Sequence, residues 1–343
     1  MPTYRRRHLS SSGTVKDVHM LQLVNLSNYT TDNDLIDNNG ECLQQFLHSH
    51  HLDGIEMMFC GPLDETIHKK EWIYGVHLRF WPWWLDFWRG DQCSLLKQFG
   101  NEADIRDCYG GVTREEWLNV YRENIAAAQQ AGAKYVVFHV SHARISELFN
   151  WEFHASDREV IEATVEVINA LHSSLPADMT LLFENLWWPG LTLRDKELTA
   201  YLMDGVAHRN VGIMLDTGHL MNTNPALRTQ AEGIEYILRT ISGLGRYSEY
   251  IKGIHLHHSL SGEYIRSSQN GSQQYKQHSM TELMYHVLKI DEHLPFSVPE
   301  ARRIIDYVQP AYLVHEFMKN TMDEWIEKIT CQQQALKMMR SVK

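Results

Sequence analysis

Eight short apolar runs, separated by longer amphipathic segments, are the feature that most constrains the fold of this 343-residue chain. The predicted strands are residues 19–26, 54–59, 73–80, 135–140, 180–185, 211–216, 253–258 and 312–317. Strands that alternate with helices predict a parallel sheet with helical crossovers, and eight such units favour a closed (β/α)8 TIM barrel. An open, doubly wound sheet remains the alternative, although no GxGxxG turn follows the first run.

Capping signals mark the intervening segments as helices. Residues 113–132 open on Thr113 with Glu116 three positions later, and residues 156–174 open on Ser156 with Glu159 in the same place. Two further helices are predicted, at 231–245 and 321–341.

Two connections are too long for simple turns. They are residues 81–112 after strand 3 and 259–311 after strand 7, and in a barrel both lie at the face where active sites form. We predict a single α/β barrel domain over residues 16–343, with these long loops and a flexible tail at 1–15.

Composition narrows the class of partner. The formal charge is −11, which argues against a nucleic-acid partner because phosphate backbones are usually gripped by a basic face. No apolar run reaches the ~20 residues of a membrane span, and no signal peptide is evident. Five cysteines without a CxxC pair suit a reducing compartment, so we expect a cytoplasmic protein with a small-molecule substrate. The oligomeric state stays open, with a homo-oligomer as one alternative.

The strands end on residues that can bind metals or transfer protons. Because the carboxyl ends of all barrel strands meet at one face, these side chains should converge there. Burying several imidazoles and carboxylates together costs free energy unless a cation compensates them. The strand-end residues are His77, His139, Glu184, Asp216, His255 or His257, and Glu316.

Ligand chemistry then indicates the type of metal. Mixed imidazole and carboxylate donors without cysteine suit Zn, Mn, Co or Fe better than Ca or Mg. Such a cation polarises a carbonyl or lowers the pKa of bound water. Glu184 and Glu316, on opposite sides of the ring, could remove and return a proton.

The motifs FEN, LDTGH, HLHH and VHEF resemble the xylose isomerase-like TIM barrel superfamily, which contains sugar isomerases, epimerases and endonuclease IV. The resemblance extends from LVNLSNY to VHEF. It implies that Glu184, Asp216, His255 and Glu316 bind one divalent ion, with Glu184 and Glu316 as catalytic acid and base. The implied activity is isomerisation or epimerisation of a small sugar or sugar-like carbonyl compound through a metal-stabilised enediolate.

The endonuclease branch, which uses three zinc ions, is the second alternative. His77, His139 and His219 match its histidines, whereas His257-His258 stand where that branch has Asn-Asp. Its Asp-x-His for the third zinc is expected to be replaced by Lys276-Gln277-His278, which has no carboxylate. His77, His139, His219, His257 and His278 are therefore candidates for additional metal or substrate contacts. A barrel that only binds ligands is a third alternative.

Four further residues are candidates for substrate binding. Glu56 matches a glutamate that often follows the second strand in the isomerases, and a salt bridge is the alternative. Arg79, Trp81 and Trp187 lie just after strand ends and could contact a substrate. Their alternatives are a surface ion pair for Arg79 and packing at the barrel rim for the tryptophans.

Overall fold

The computed structural model describes residues 20–270 and 279–337 and shows eight parallel strands closed into a barrel in sequence order. The strands are β1 (Leu21–Ser27), β2 (Gly54–Met58), β3 (Ile73–His77), β4 (Tyr135–His139), β5 (Thr180–Glu184), β6 (Val211–Asp216), β7 (Ile251–Leu256) and β8 (Tyr312–His315). The predicted (β/α)8 barrel is confirmed. The predicted tail at 1–15 lies outside the described residues.

Helices connect the strands. In the described parts they are α1 (Thr30–Leu35), α2 (Gly40–Ser49), α3 (Leu85–Arg89), α4 (Gln92–Phe99), α5 (Glu102–Tyr109), α6 (Arg114–Ala131), α7 (Glu147–Asn150), α8 (Asp157–Leu171), α9 (Lys196–Gly205), α10 (Thr217–Asn222), α11 (Gln230–Gly243), α12 (Gly262–Asn270), α13 (Met280–Ile290), α14 (Arg302–Val308) and α15 (Met322–Leu336). Short 3-10 helices span Lys70–Trp72, His172–Ser174, Gly245–Tyr250 and Pro299–Ala301. No helix among these described residues is long and apolar enough to cross a membrane.

The predicted capping boxes of α6 and α8 are both present. The Thr113 side chain accepts a hydrogen bond from the backbone of Glu116, whose carboxylate returns to Thr113. Ser156 and Glu159 make the same reciprocal pair at α8. Each box satisfies backbone N–H groups that a helix start would otherwise leave without partners.

In their described residues, the two long connections contain helices joined by irregular segments. The first carries α3, α4 and α5, and the second carries α12, α13 and α14. In the first, Trp84 and Trp88 are buried against Trp117 of α6. These aromatic residues thus form an additional core between this connection and α6.

The barrel interior has a buried core of its own. Its members are Leu23, Tyr135, Val137, Leu182, Met214 and Val314, and they alternate along the strands with residues of the larger core. Gly75 makes room for the Tyr135 ring, because a Cβ atom at position 75 would lie 2.0 Å from that ring. Tyr135 can therefore reach Glu56, to which its hydroxyl donates a hydrogen bond of 2.8 Å.

Candidate metal centre

Four of the predicted ligands meet at the carboxyl ends of the strands. Glu184 ends β5, Asp216 ends β6, His255 lies in β7, and Glu316 follows β8. Each offers one ligand atom, and these atoms all lie within 4.8 Å of one another. Glu184, Asp216 and His255 are fully buried, whereas the Glu316 side chain keeps 14% exposure. We call these four residues the central group.

Hydrogen bonding fixes the protonation of His255. Its Nε2 lies 2.9 Å from a Glu56 oxygen, so this nitrogen carries the proton and donates it, while Tyr135 supports the other Glu56 oxygen. Nδ1 then presents a lone pair to carboxylate oxygens of Glu316 at 3.0 Å and Glu184 at 3.2 Å. Such contacts are favourable only if a second proton or a cation lies between them. Although burial lowers the pKa of His255, the surrounding carboxylates raise it well above its usual value.

A second set of donors adjoins the central group. His77 Nδ1 donates to the Leu78 carbonyl oxygen at 2.9 Å, so Nε2 is left with a lone pair. That lone pair faces a Glu184 oxygen at 3.1 Å and His139 Nε2 at 3.0 Å. His139 Nε2 also lies 3.2 Å from the same Glu184 oxygen. We call His77, His139 and Glu184 the histidine group.

A third set of donors surrounds Asp291. One Asp291 oxygen lies 3.0 Å from His219 Nε2 and 3.3 Å from His293 Nε2. His219 Nδ1 lies 3.0 Å from the backbone carbonyl oxygen of Asn185. His293 Nδ1 lies 3.0 Å from the backbone carbonyl oxygen of Asp291. Both Nε2 lone pairs therefore face a carboxylate. With His257, whose Nδ1 is 4.0 Å from Asp291, these residues form what we call the loop group.

Sequence reasoning missed one carboxylate, Asp291, that lies beside these histidines. The Asp-x-His pattern is supplied by Asp291-Glu292-His293, just after α13. The predicted substitute, Lys276-Gln277-His278, lies outside the described residues, as does the candidate site at His278. The signal was present in the sequence as DEH, but it lies in an irregular segment rather than at a strand end.

Glu184 links two of the groups. One of its oxygens faces His77 and His139, and the other lies 3.2 Å from His255 Nδ1. Burial raises the pKa of Glu184, but the charges of His139 and His255 outweigh it and hold that pKa well below its usual value. The carboxylate is therefore ionised and can serve donors on both sides.

Asp216 links the central group to the loop group. One oxygen accepts a hydrogen bond from the His219 backbone at 2.6 Å, and the other lies 2.9 Å from His257 Nε2. Gly218 permits this approach, because a Cβ atom there would lie 2.1 Å from the His257 ring. His257 is fully buried, and its Nδ1 has no hydrogen-bond partner among the described residues.

These arrangements fit divalent cations. Lone pairs of His77, His219 and His255 face carboxylates rather than hydrogen-bond donors, which is the contact that a cation makes favourable. Glu316 Oε2 is buried and lacks a hydrogen-bond partner among the described residues. The donors are nitrogen and oxygen without sulfur, as Zn, Mn, Co or Fe prefer.

A fourth cluster, of Asp86, His142 and His154, does not suit a metal. Arg144 already binds Asp86 through two hydrogen bonds of 2.7 and 2.8 Å. His142 Nδ1 accepts from the backbone of Leu85, so its other nitrogen carries the proton and has no lone pair to offer. Burial lowers the pKa of His142 to about 3.

The predicted substrate-binding residues lie in different surroundings. Glu56 sits beneath His255, and the Trp187 ring centre lies 5.0 Å from that of His219. Trp81 is buried and donates to the Cys108 carbonyl oxygen at 2.7 Å, so its observed contacts are those of packing. The exposed Arg79 stacks on Trp81 at 5.1 Å. Contact of any of them with a substrate remains a prediction.

Several solved structures are similar to this chain over most of its length. The IOLI protein, solved with a bound zinc atom, is 14% identical and covers 94% of this chain and 100% of its own, with a TM-score of 0.50. Endonuclease IV from Thermus thermophilus is 14% identical over 93% of this chain and 100% of its own, with a TM-score of 0.49. A D-tagatose 3-epimerase-like protein is 13% identical, and the match covers 93% of this chain and 98% of that protein, also with a TM-score of 0.49.

The sequence itself identifies the family. No protein with curated annotation matches the chain. The family model described as xylose isomerase-like TIM barrel matches residues 109–310, which include β4 to β7 and most of the ligand groups. With the closed eight-stranded barrel, this match shows that the chain belongs to the xylose isomerase-like TIM barrel family.

Proposed function

We propose that the protein hydrolyses phosphate esters with divalent cations held by the central, histidine and loop groups. The loop group carries this proposal, because Asp291 and His293 add donors beside a set that could hold a single ion by itself. Adjacent cations suit a phosphate group, whose attacking and leaving oxygens both need stabilisation. The match of His77, His139 and His219 to the histidines of the three-zinc endonuclease branch also supports it.

The chain's own residues would hold and shield the reacting group. When bound, such cations neutralise phosphate charge and lower the pKa of water at the site. Glu184 and Asp216 are fully buried, and each is contacted from two sides, so their oxygens are held in place. The Trp187 ring packs against the His219 ring, with centres 5.0 Å apart.

Metal content per chain is the first test of this proposal. We expect more than one ion per chain by elemental analysis of the purified protein, and the loss of one ion in His293→Ala. His258→Gln is the matched control, because His258 is buried nearby but contacts Gln230 and the Leu294 backbone. A single ion in the wild type, unchanged in His293→Ala, would contradict the proposal.

Activity is the second test. The metal-loaded protein should release nitrophenol from bis(4-nitrophenyl) phosphate or 4-nitrophenyl phosphate, or cleave a duplex at an abasic site. His293→Ala should lose this activity while His258→Gln keeps it. If the metal-loaded wild type were inactive in all three assays, the proposal of phosphate-ester hydrolysis would be contradicted.

Metal-dependent isomerisation or epimerisation of a small sugar is the second candidate. It is favoured by the two carboxylates, Glu184 and Glu316, that both approach His255 Nδ1 within 3.2 Å. In that chemistry they would move a proton between carbons of a bound ketose. Solvent deuterium should then enter a carbon-bound position of a ketose in D2O, and Glu316→Gln should prevent it.

A further inference from the structure

A cavity of about 210 Å3 opens beside the central group. Glu56, His77 and Glu316 line it, together with Asp32 near β1 and Lys319 after β8. Because His77 and Glu316 belong to the candidate ligand groups, a molecule in this cavity would lie directly beside any cation held there. The cavity is thus the natural place for the part of a substrate that does not react.

Lys319 places an ammonium group at this cavity, and this ammonium has few hydrogen-bond acceptors. Its side chain is only 5% exposed, and Nζ donates to the Asn25 carbonyl oxygen at 2.8 Å. The nearest Asp32 oxygen is 4.0 Å away, beyond hydrogen-bonding distance, and the Trp325 ring centre lies 4.9 Å away. An ammonium has three N–H donors. The described residues provide a hydrogen-bond acceptor for one of them.

The barrel seam has hydrogen bonds besides the one that this ammonium makes. Asn25 already ties β1 to the segment after β8, because its side chain accepts from the Phe317 backbone at 3.1 Å and donates back at 3.3 Å. Lys319 is also the one lysine or arginine among the described residues that line the cavity. A buried cation without a carboxylate in hydrogen-bonding contact costs free energy, which an anionic ligand would offset.

We infer that Lys319 forms an anion subsite that binds a compact oxyanion, a phosphate or a carboxylate, on a substrate whose reacting atoms lie at the central group. The inference rests on the proposed function for the identity of the reacting bond, but anion binding itself does not depend on it. The volume of the cavity suits an oxyanion with a few carbon atoms. Substrates with a second anionic group should therefore be preferred.

Calorimetric titration of the purified, metal-containing protein with inorganic phosphate and, separately, with acetate tests the inference. Lys319→Met should weaken binding of at least one anion by about tenfold or more, the loss expected for a hydrogen bond to a charged group. Lys319→Arg should restore part of it. The matched control is Lys328→Met, because Lys328 donates to the Met318 carbonyl oxygen and pairs with Glu324 but does not line the cavity.

The anion whose binding depends on Lys319 identifies the group that the substrate carries. If Lys319→Met unfolds, Lys319→Gln replaces it, since the amide still offers a donor and removes the charge. Equal affinities in the wild type, Lys319→Met and Lys328→Met would overturn the inference, as would a wild type that binds neither anion. Lys319-dependent anion binding without phosphate-ester hydrolysis would instead overturn only the proposed function.

Discussion

Replacing Glu56 by glutamine tests whether this carboxylate orients His255 as a metal ligand. Glu56 is 2% exposed, accepts from His255 Nε2 at 2.9 Å and accepts from the Tyr135 hydroxyl at 2.8 Å. Glutamine keeps the shape but removes the charge, and its NH2 group cannot accept a hydrogen bond. The amide oxygen can accept from only one of the two donors, and that acceptor is no longer charged, so His255 is held less firmly in one tautomer.

The size of the effect follows from these contacts. A hydrogen bond to a charged group contributes about 1.5–3 kcal/mol. If the substitution weakens the hydrogen bond that keeps the proton on His255 Nε2, metal affinity should drop by about tenfold to a hundredfold. This is the range found for groups that orient metal-binding histidines. Tyr135→Phe removes only the support of Glu56, so its effect should be smaller, at about tenfold or less.

Competition with a chelator, followed by elemental analysis of the retained metal, measures this affinity. Tyr312→Phe is the control, because its ring packs 4.4 Å from that of Tyr135, whereas the hydroxyl that donates to Glu56 is that of Tyr135. We expect Tyr312→Phe to match the wild type within about twofold. If Glu56→Gln also matched the wild type, Glu56 would not orient His255, and the tautomer assigned to that ring would be wrong.

Three other perturbations probe the fold and the electrostatics of the site. Arg144→Met leaves a buried carboxylate without its two short hydrogen bonds and should cost about 3–5 kcal/mol in urea unfolding, against at most about 1 kcal/mol for Arg89→Met in an exposed pair. Gly75→Ala brings a Cβ within 2.0 Å of an aromatic ring and should lower the free energy of unfolding by about 1–3 kcal/mol, whereas Gly61→Ala meets nothing within 4 Å and should not. After treatment with a chelator, stability should fall as the pH rises above about 6.5. Burial lowers the pKa of His255, but the neighbouring carboxylates outweigh burial and raise it well above its usual value. Protonated His255 therefore stabilises the fold fully below the usual histidine pKa. This contribution is lost as the pH rises through the higher pKa of the folded protein. Thermal unfolding across a pH series measures the trend, and a flat profile would contradict it.

The three carboxylates of the central group could be predicted because each follows a local rule, whereas the choice of His255 over His257 came from the family resemblance. Glu184 and Asp216 each close an apolar run of strand length, and Glu316 directly follows another. In a parallel barrel the ends of such runs meet at one face, so their positions in the sequence already indicate proximity. No knowledge of packing between helices was needed.

The loop group could not be predicted in the same way. Asp291 and His293 follow α13 in an irregular segment, and their approach to His219 depends on how the long connection after β7 packs onto the barrel. No periodic pattern encodes that packing. The contact between Glu56 and Tyr135 likewise could not be predicted from the sequence, because it depends on the space that Gly75 leaves inside the barrel.

A strand-end histidine alone does not indicate a ligand, and the partners of its two nitrogens make the distinction. His315 ends β8 and is fully buried, as His255 is in β7, yet its Nδ1 accepts from the Gln332 amide at 2.9 Å, and its Nε2 faces the Gln22 amide oxygen at 3.3 Å. Both nitrogens of that neutral ring are satisfied, burial lowers its pKa to about 4, and no lone pair is left for a cation. His255 instead turns its lone pair to the carboxylates of Glu184 and Glu316, a contact that requires positive charge between the atoms. The pleat of the strands separates the two residues, because the register pairs His255 with Val314 but His315 with Leu256, so the two rings point to opposite faces of the sheet.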